Sequence, residues 1–125
     1  MAEPLRILLV DDEVDFLEAT STRLRRRGFE VRTATRVEDA MPAVEAGWPG
    51  VVVLDVMLPG TGGLEGLRRM KRAAPGLPVL MLTAHASMRA GLEGIEGGAS
   101  DYCLKPIELD ELVEKMRVAV KGAAG

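Results

Sequence analysis

Ile7-Leu8-Leu9-Val10-Asp11-Asp12 and Val51-Val52-Val53-Leu54-Asp55 share one form: a short, unbroken apolar run that ends on carboxylates. A strand with one wet face alternates apolar and polar residues, whereas a strand covered on both faces reads as continuous Val, Ile and Leu. Leu5 to Val10 and Val51 to Leu54 are of the second kind, and Val79 to Leu82 is a third such run, closed by Thr83. Buried strands of this type belong to a parallel sheet. Phe29-Glu30-Val31-Arg32-Thr33 alternates, as an edge strand does, and Ser100 to Leu104 suits a short fifth strand.

The intervals carry helical periodicity. Val14, Leu17 and Leu24 share a face in a helix over 14–27 that Gly28 stops. Thr35-x-x-Glu38 has the form of a capping box ahead of Val37, Met41 and Val44, a helix that Gly47 ends. Pro42 is expected to kink that helix, because its ring displaces a backbone hydrogen bond. Leu64, Leu67 and Met70 mark a third helix, closed by Pro75-Gly76, and Met88, Leu92 and Ile95 mark a fourth. The fourth is weakened by Gly91, Gly94, Gly97 and Gly98, each worth about 1 kcal/mol against Ala. Leu109, Leu112, Val113, Met116 and Val120 give the clearest helix, the fifth.

Five strand–helix repeats with right-handed crossovers define an α/β fold. The expectation is a five-stranded parallel doubly wound sheet of flavodoxin-like (βα)5 type. The edge-like second and fifth strands favour the order 2-1-3-4-5. The 125 residues make one domain, residues 1–125, with a core over about 5–121 and Gly122 to Gly125 read as a tail or the start of a linker.

Composition narrows the function classes. Lys plus Arg is 16 against 19 Asp plus Glu, a net charge of −3, which argues against direct nucleic-acid binding through backbone phosphates. Aromatic residues are 3%, too few for base-stacking platforms. A lone cysteine, Cys103, excludes an internal disulfide and fits a reducing compartment. Ile7 to Val10 is too short for a signal-peptide core or a membrane span, so the default expectation is a cytoplasmic protein with no membrane partner.

In a doubly wound sheet, ligands bind beyond the carboxyl ends of the strands, where strand order reverses. The residues found there are Asp11 and Asp12 after the first strand, Asp55 after the third, Thr83 after the fourth and Lys105 after the fifth. Three clustered carboxylates repel one another unless a cation compensates them. Hard oxygen ligands with few protein contacts suit Mg²⁺, which readily takes a phosphoryl oxygen. Lys105 adds a point charge for such an oxygen, and Thr83 a hydroxyl donor. The set suits phosphoryl transfer with a carboxylate as acceptor. Singly, an Asp after a strand is a helix cap and a loop Lys or Thr is solvated surface; five together at one sheet edge make that bland reading improbable.

The sequence resembles the receiver domain of two-component response regulators. The resemblance rests on residues 7–13, on Val53-Leu54-Asp55-Val56-Met57-Leu58-Pro59-Gly60 with Gly63, on Pro78 to Ala84 and on Gly98 to Pro106, in order and over about residues 5–120. It implies that Asp55 is the phosphoacceptor. It implies that Asp12, Asp55 and the backbone carbonyl of Met57 ligate Mg²⁺, with Asp11 acting through water. Lys105 and the backbone amide of Ala84 then contact the phosphoryl group, and Thr83 turns inward to it. Tyr102 moves from an exposed to a buried rotamer, and Lys105-Pro106 is cis. The donor implied is a phosphohistidine on a sensor histidine kinase or phosphotransfer protein. The output leaves by the face of the fourth helix, fifth strand and fifth helix, where a phosphorylation-dependent dimer is one form it takes. Gly50 and Pro42 depart from the family pattern. Met57 and His85 occupy the two positions that tune phosphoryl lifetime; apolar Met57 implies slow to moderate self-dephosphorylation.

Competing readings are weaker. An aspartyl-nucleophile phosphatase carries a second Asp two residues on, where Met57 stands, so external turnover is not expected. A docking module that is never phosphorylated has no need of the five-residue set. Residues 59–66 fail the dinucleotide fingerprint, with Glu65 at the third glycine position. His85, the lone histidine, reads as a loop residue. The basic runs Arg23-Leu24-Arg25-Arg26-Arg27 and Arg68-Arg69-Met70-Lys71-Arg72 read as solvated helix faces.

Overall fold

The three continuous runs become β1 (Arg6–Val10), β3 (Val51–Asp55) and β4 (Val79–Thr83), and all but Arg6 of their residues are buried. The computed structural model describes residues 3–84 and 93–124, so His85, Met88, Gly91 and Leu92 lie outside the described residues. β2 (Glu30–Ala34) and β5 (Asp101–Leu104) complete a parallel sheet of order β2-β1-β3-β4-β5, as the sequence indicates. Their mixed burial is that of edge strands.

The continuous runs are apolar because each strand supplies two cores. Leu8, Val10, Val52, Leu54, Val79 and Met81 face one cluster, and Ile7, Leu9, Val51, Val53, Leu80 and Leu82 face the other. α2 (Val37–Glu45) and α3 (Gly63–Ala73) cover the first face through Val37, Met41, Val44, Leu67 and Met70. α1 (Val14–Arg26) and α5 (Leu109–Ala124) cover the second through Leu17, Leu24, Leu112 and Met116. Between α3 and α5, the described part of α4 is the helical stretch 93–96. Each fully buried Leu or Met contributes about 1.5–3 kcal/mol.

One local expectation is corrected. The capping box is not formed: Arg36 is the N-cap of α2, with no side-chain cap hydrogen bond. The Glu38 carboxylate is drawn to another element, where it accepts the hydroxyl of Thr61 and lies 3.8 and 3.7 Å from Arg36 and Arg69. That hydrogen bond, foremost, holds the Glu38 carboxyl below its ordinary value. α2 also runs on through Pro42 to Glu45. Pro42 lies on the exposed side, where water can serve the carbonyl its ring displaces, while Val37, Ala40, Met41 and Val44 hold the buried side. α5 continues to Ala124, so Gly122 and Ala123 lie in its last turns.

The basic runs are largely engaged locally. Arg25 donates to the carbonyl of Val31 at 2.8 Å, Arg27 pairs with Asp110 at 2.6 Å and Lys71 donates to the carbonyl of Leu77 at 2.9 Å. Arg68 and Arg72 both reach Glu65, at 3.7 and 3.4 Å.

Cys103 packs in the second core, and burial, with the nearby charge of Asp101, pushes its thiol up to about 11. The folded protein should therefore resist iodoacetamide at neutral pH and react once unfolded in denaturant. Equal labelling rates in the two states, read by intact mass, would contradict this placement.

Candidate functional site

The strand ends gather the polar residues. Asp55 is the last residue of β3 and Thr83 the last of β4, while Asp11 and Asp12 follow β1 and Lys105 follows β5. In register, Asp55 pairs with Leu82 and Thr83 with Leu104, so the acceptor candidate and the hydroxyl lie at one end of adjacent strands. The backbone amide of Lys105 donates to the carbonyl of Thr83 at 2.8 Å, which fixes the base of the lysine at the same edge. This edge lies over β1 and β3, the point where strand order reverses.

Asp11 and Asp55 are 3% and 5% exposed and Thr83 is fully buried, whereas Asp12 faces solvent. One carboxylate oxygen from each of Asp11, Asp12 and Asp55 lies within 4.8 Å of the others. Backbone amides orient two of them: Glu13 donates to Asp11 Oδ1 at 2.9 Å and Met57 to Asp55 Oδ1 at 3.0 Å. The lysine opposes the acids. Lys105 Nζ lies 2.5 Å from Asp11 Oδ2, 2.8 Å from Glu13 Oε1 and 3.9 Å from Asp55 Oδ2.

The charges answer to this geometry. Burial raises the Asp11 carboxyl above its ordinary value, against the hydrogen bond from Lys105 and that from the Glu13 amide; the charge of Asp55 raises it further. Burial works to lower Lys105, yet its hydrogen bonds to Asp11 and Glu13 and the charges of Asp11 and Asp55 outweigh it, so its net shift is upward. The ammonium thus stays charged at neutral pH, while the crowded acids remain short of positive charge.

That shortage is the test of fit for a cation. Three hard oxygen donors, two of them buried and one open to water, suit a small divalent ion that keeps some of its hydration. Asp11, Asp12 and Asp55 could hold it.

A glycine shapes this edge. Gly63 opens α3, and its amide donates to the carbonyl of Val56 at 3.0 Å. A methyl built there would overlap the carbonyl oxygen of Asp55 and stand 2.6 Å from Val56 Cα. No helix periodicity reveals this; the signal is a glycine at the first turn of a helix following a loop with Gly60 at φ +70°.

The remaining sequence candidates are near but not all at the edge. Met57 is 57% exposed at the rim, and Ala84 is exposed directly after Thr83. Tyr102 is partly buried against the core cluster that holds Met81 and Ala99. The Lys105-Pro106 peptide is cis, as expected. Glu13 and Phe16, whose ring centroid lies 4.3 Å from Lys105 Nζ, were assigned no role from sequence.

A doubly wound α/β domain with an acid cluster and an opposed lysine at its switch point is the class that fold and site define. The family model of the response regulator receiver domain matches residues 7–117, and the chain belongs to that family. It is 42% identical over 113 residues to the transcriptional regulatory protein TcrA of Mycobacterium tuberculosis, covering 90% of this chain and 45% of that one. A CheY-like receiver domain protein from Methanospirillum hungatei superposes with a TM-score of 0.91 at 28% identity, covering 97% of both chains. The BeF3-activated DrrB receiver domain superposes with a TM-score of 0.83 at 34% identity, over 94% of this chain and 98% of that one. The chain spans about half the length of the curated relatives it matches. No described helix is long and apolar enough to cross a membrane.

Proposed function

We propose that this domain is a phosphorylation-activated switch with Asp55 as its phosphoacceptor. The observation that carries the reading is the position of Asp55: nearly buried at the end of β3, between two further carboxylates and a lysine ammonium 3.9 Å away. A phosphohistidine of a sensor kinase or phosphotransfer protein is the donor. A carboxylate oxygen of Asp55 forms the new P–O bond as the P–N bond breaks, and the imidazole leaves with the electron pair and takes a proton. Asp12, Asp55 and the backbone carbonyl of Met57 would hold Mg²⁺, with Asp11 acting through water, and the bound ion would supply charge neutralisation for an in-line transfer. Lys105 holds a phosphoryl oxygen from the opposite side. The relative DrrB was solved in a BeF3-activated form, and BeF3 on a carboxylate imitates an acyl phosphate, which supports the same chemistry here.

The new dianion then attracts the hydroxyl of Thr83, with the Ala84 amide beside it, and Tyr102 follows. A preference of a few kcal/mol for the active arrangement is enough to move the population. The output face is α4, β5 and α5, toward an output module or partner; TcrA, named as a transcriptional regulator, is more than twice the length of the matched segment. Met57 offers no acid two residues past Asp55, so external phosphoesters are not turned over.

Incubation with acetyl phosphate, with and without Mg²⁺, tests the reading by intact mass: a single phosphoryl adduct that needs the ion supports it, and no adduct contradicts it. Thr83→Ala is expected to accept phosphate yet respond weakly. Its amide shifts at Tyr102 and Cys103 on phosphorylation should be a small fraction of the wild-type ones; a full response would remove Thr83 from the switch.

A further inference from the structure

The geometry points to Glu13 as the positioning residue for Lys105, an inference that rests on the phosphoacceptor reading above. A lysine ammonium is a point charge on a flexible stem, with three donors and no direction of its own. Something else must aim it. Here Asp11 Oδ2 and Glu13 Oε1 accept from Nζ at 2.5 and 2.8 Å, and the Phe16 ring backs the charge at 4.3 Å. Asp55 Oδ2, at 3.9 Å, is beyond hydrogen-bond distance. With two donors committed to Asp11 and Glu13, the third is directed toward the Asp55 side. That donor would then be available to a phosphoryl oxygen carried on Asp55.

The backbone of Glu13 supports the assignment. Glu13 is the N-cap of α1 at φ −82°, ψ 98°, a position where Ser, Thr, Asp or Asn ordinarily accept a helix amide. Its side chain makes no cap hydrogen bond. Its carboxylate, 57% exposed, instead reaches across 92 residues of sequence to Lys105, which is 8% exposed. Phe16, one turn further along α1, completes the grip. The start of α1 therefore acts as a jig for the lysine.

Rates of acetyl phosphate labelling at saturating Mg²⁺ test this in wild type, Glu13→Ala, Glu13→Gln, Lys105→Ala and the Glu13→Ala/Lys105→Ala double variant. Glu13→Ala should slow labelling roughly 3–10-fold, in the range of coupling between contacting residues. Glu13→Gln, whose amide oxygen accepts the same N–H, should recover most of the rate. In the Lys105→Ala background, Glu13→Ala should change nothing. A wild-type rate in Glu13→Ala, equal slowing in both backgrounds, or a Gln variant as slow as the Ala variant would overturn the inference. If Lys105→Ala labels at the wild-type rate, the lysine's part in the site falls and the inference with it. If wild type is not labelled at all, the phosphoacceptor reading itself fails. Lysine-selective ¹⁵N spectra give a readout independent of turnover and of the Ala variant: Glu13→Gln should shift the Lys105 Nζ resonance and leave Lys115, paired with Asp101, in place. An unmoved Lys105 signal would also overturn it.

Discussion

Asp55→Asn is expected to abolish Mg²⁺-dependent labelling by acetyl phosphate while leaving the fold at least as stable as wild type. The two halves follow from one geometry. Asn has no carboxylate to form an acyl phosphate, and it removes one of three hard oxygen ligands from the cluster. Asp55 also raises the Asp11 carboxyl through its charge, so its neutralisation relieves a repulsion within the site. Lys105 keeps its bonds to Asp11 and Glu13 and is not left buried without a partner. The expected pair of results is no adduct by mass and a melting temperature that does not fall. Persistent stoichiometric labelling would refute the acceptor assignment. A large loss of stability would refute the account of charge crowding.

Gly63→Ala should be among the most damaging single-methyl additions in the chain. The methyl has no room between the Asp55 carbonyl and Val56, and both obstacles are backbone rather than the end of a flexible side chain. Relief requires α3 to move off β3, which costs about 2–3 kcal/mol by analogy with overpacked cores. That should appear as a fall in Tm of roughly 5–12 °C. Labelling of Asp55 should slow as well, because the carbonyl displaced belongs to the acceptor residue. Gly62→Ala is the control: a methyl there meets nothing within 4 Å and φ is −67°, so the change should stay within about 1 kcal/mol. Equal effects at the two positions would deny the close approach at Gly63.

These expectations separate what is legible in the sequence from what is not. The buried strands were readable because a residue run with both faces covered has no polar alternation, and β1, β3 and β4 show it. The acid cluster was readable because the strand order places the residues after β1 and β3 side by side. Local patterns did worse where a distant contact competed. Thr35 and Glu38 have capping-box spacing, but Glu38 finds Thr61, Arg36 and Arg69 instead. Glu13 looks like the third member of an acidic run, and only the return of Lys105 to the same edge gives it a task. Gly63 is marked by the family pattern, but its lack of room for a methyl emerges only where the chain packs against its own strand end. In each case the decisive neighbour lies beyond the span of one element, where periodicity and propensity carry no information.

Borohydride reduction of the acetyl phosphate-treated protein, followed by peptide mass mapping, tests the central claim most directly, because it converts an acyl phosphate to an alcohol at the residue that carried it. The reduced side chain should be found at Asp55, and only in samples that contained Mg²⁺. Reduction at Asp11 or Asp12, or at Asp55 without regard to the divalent ion, would contradict the account.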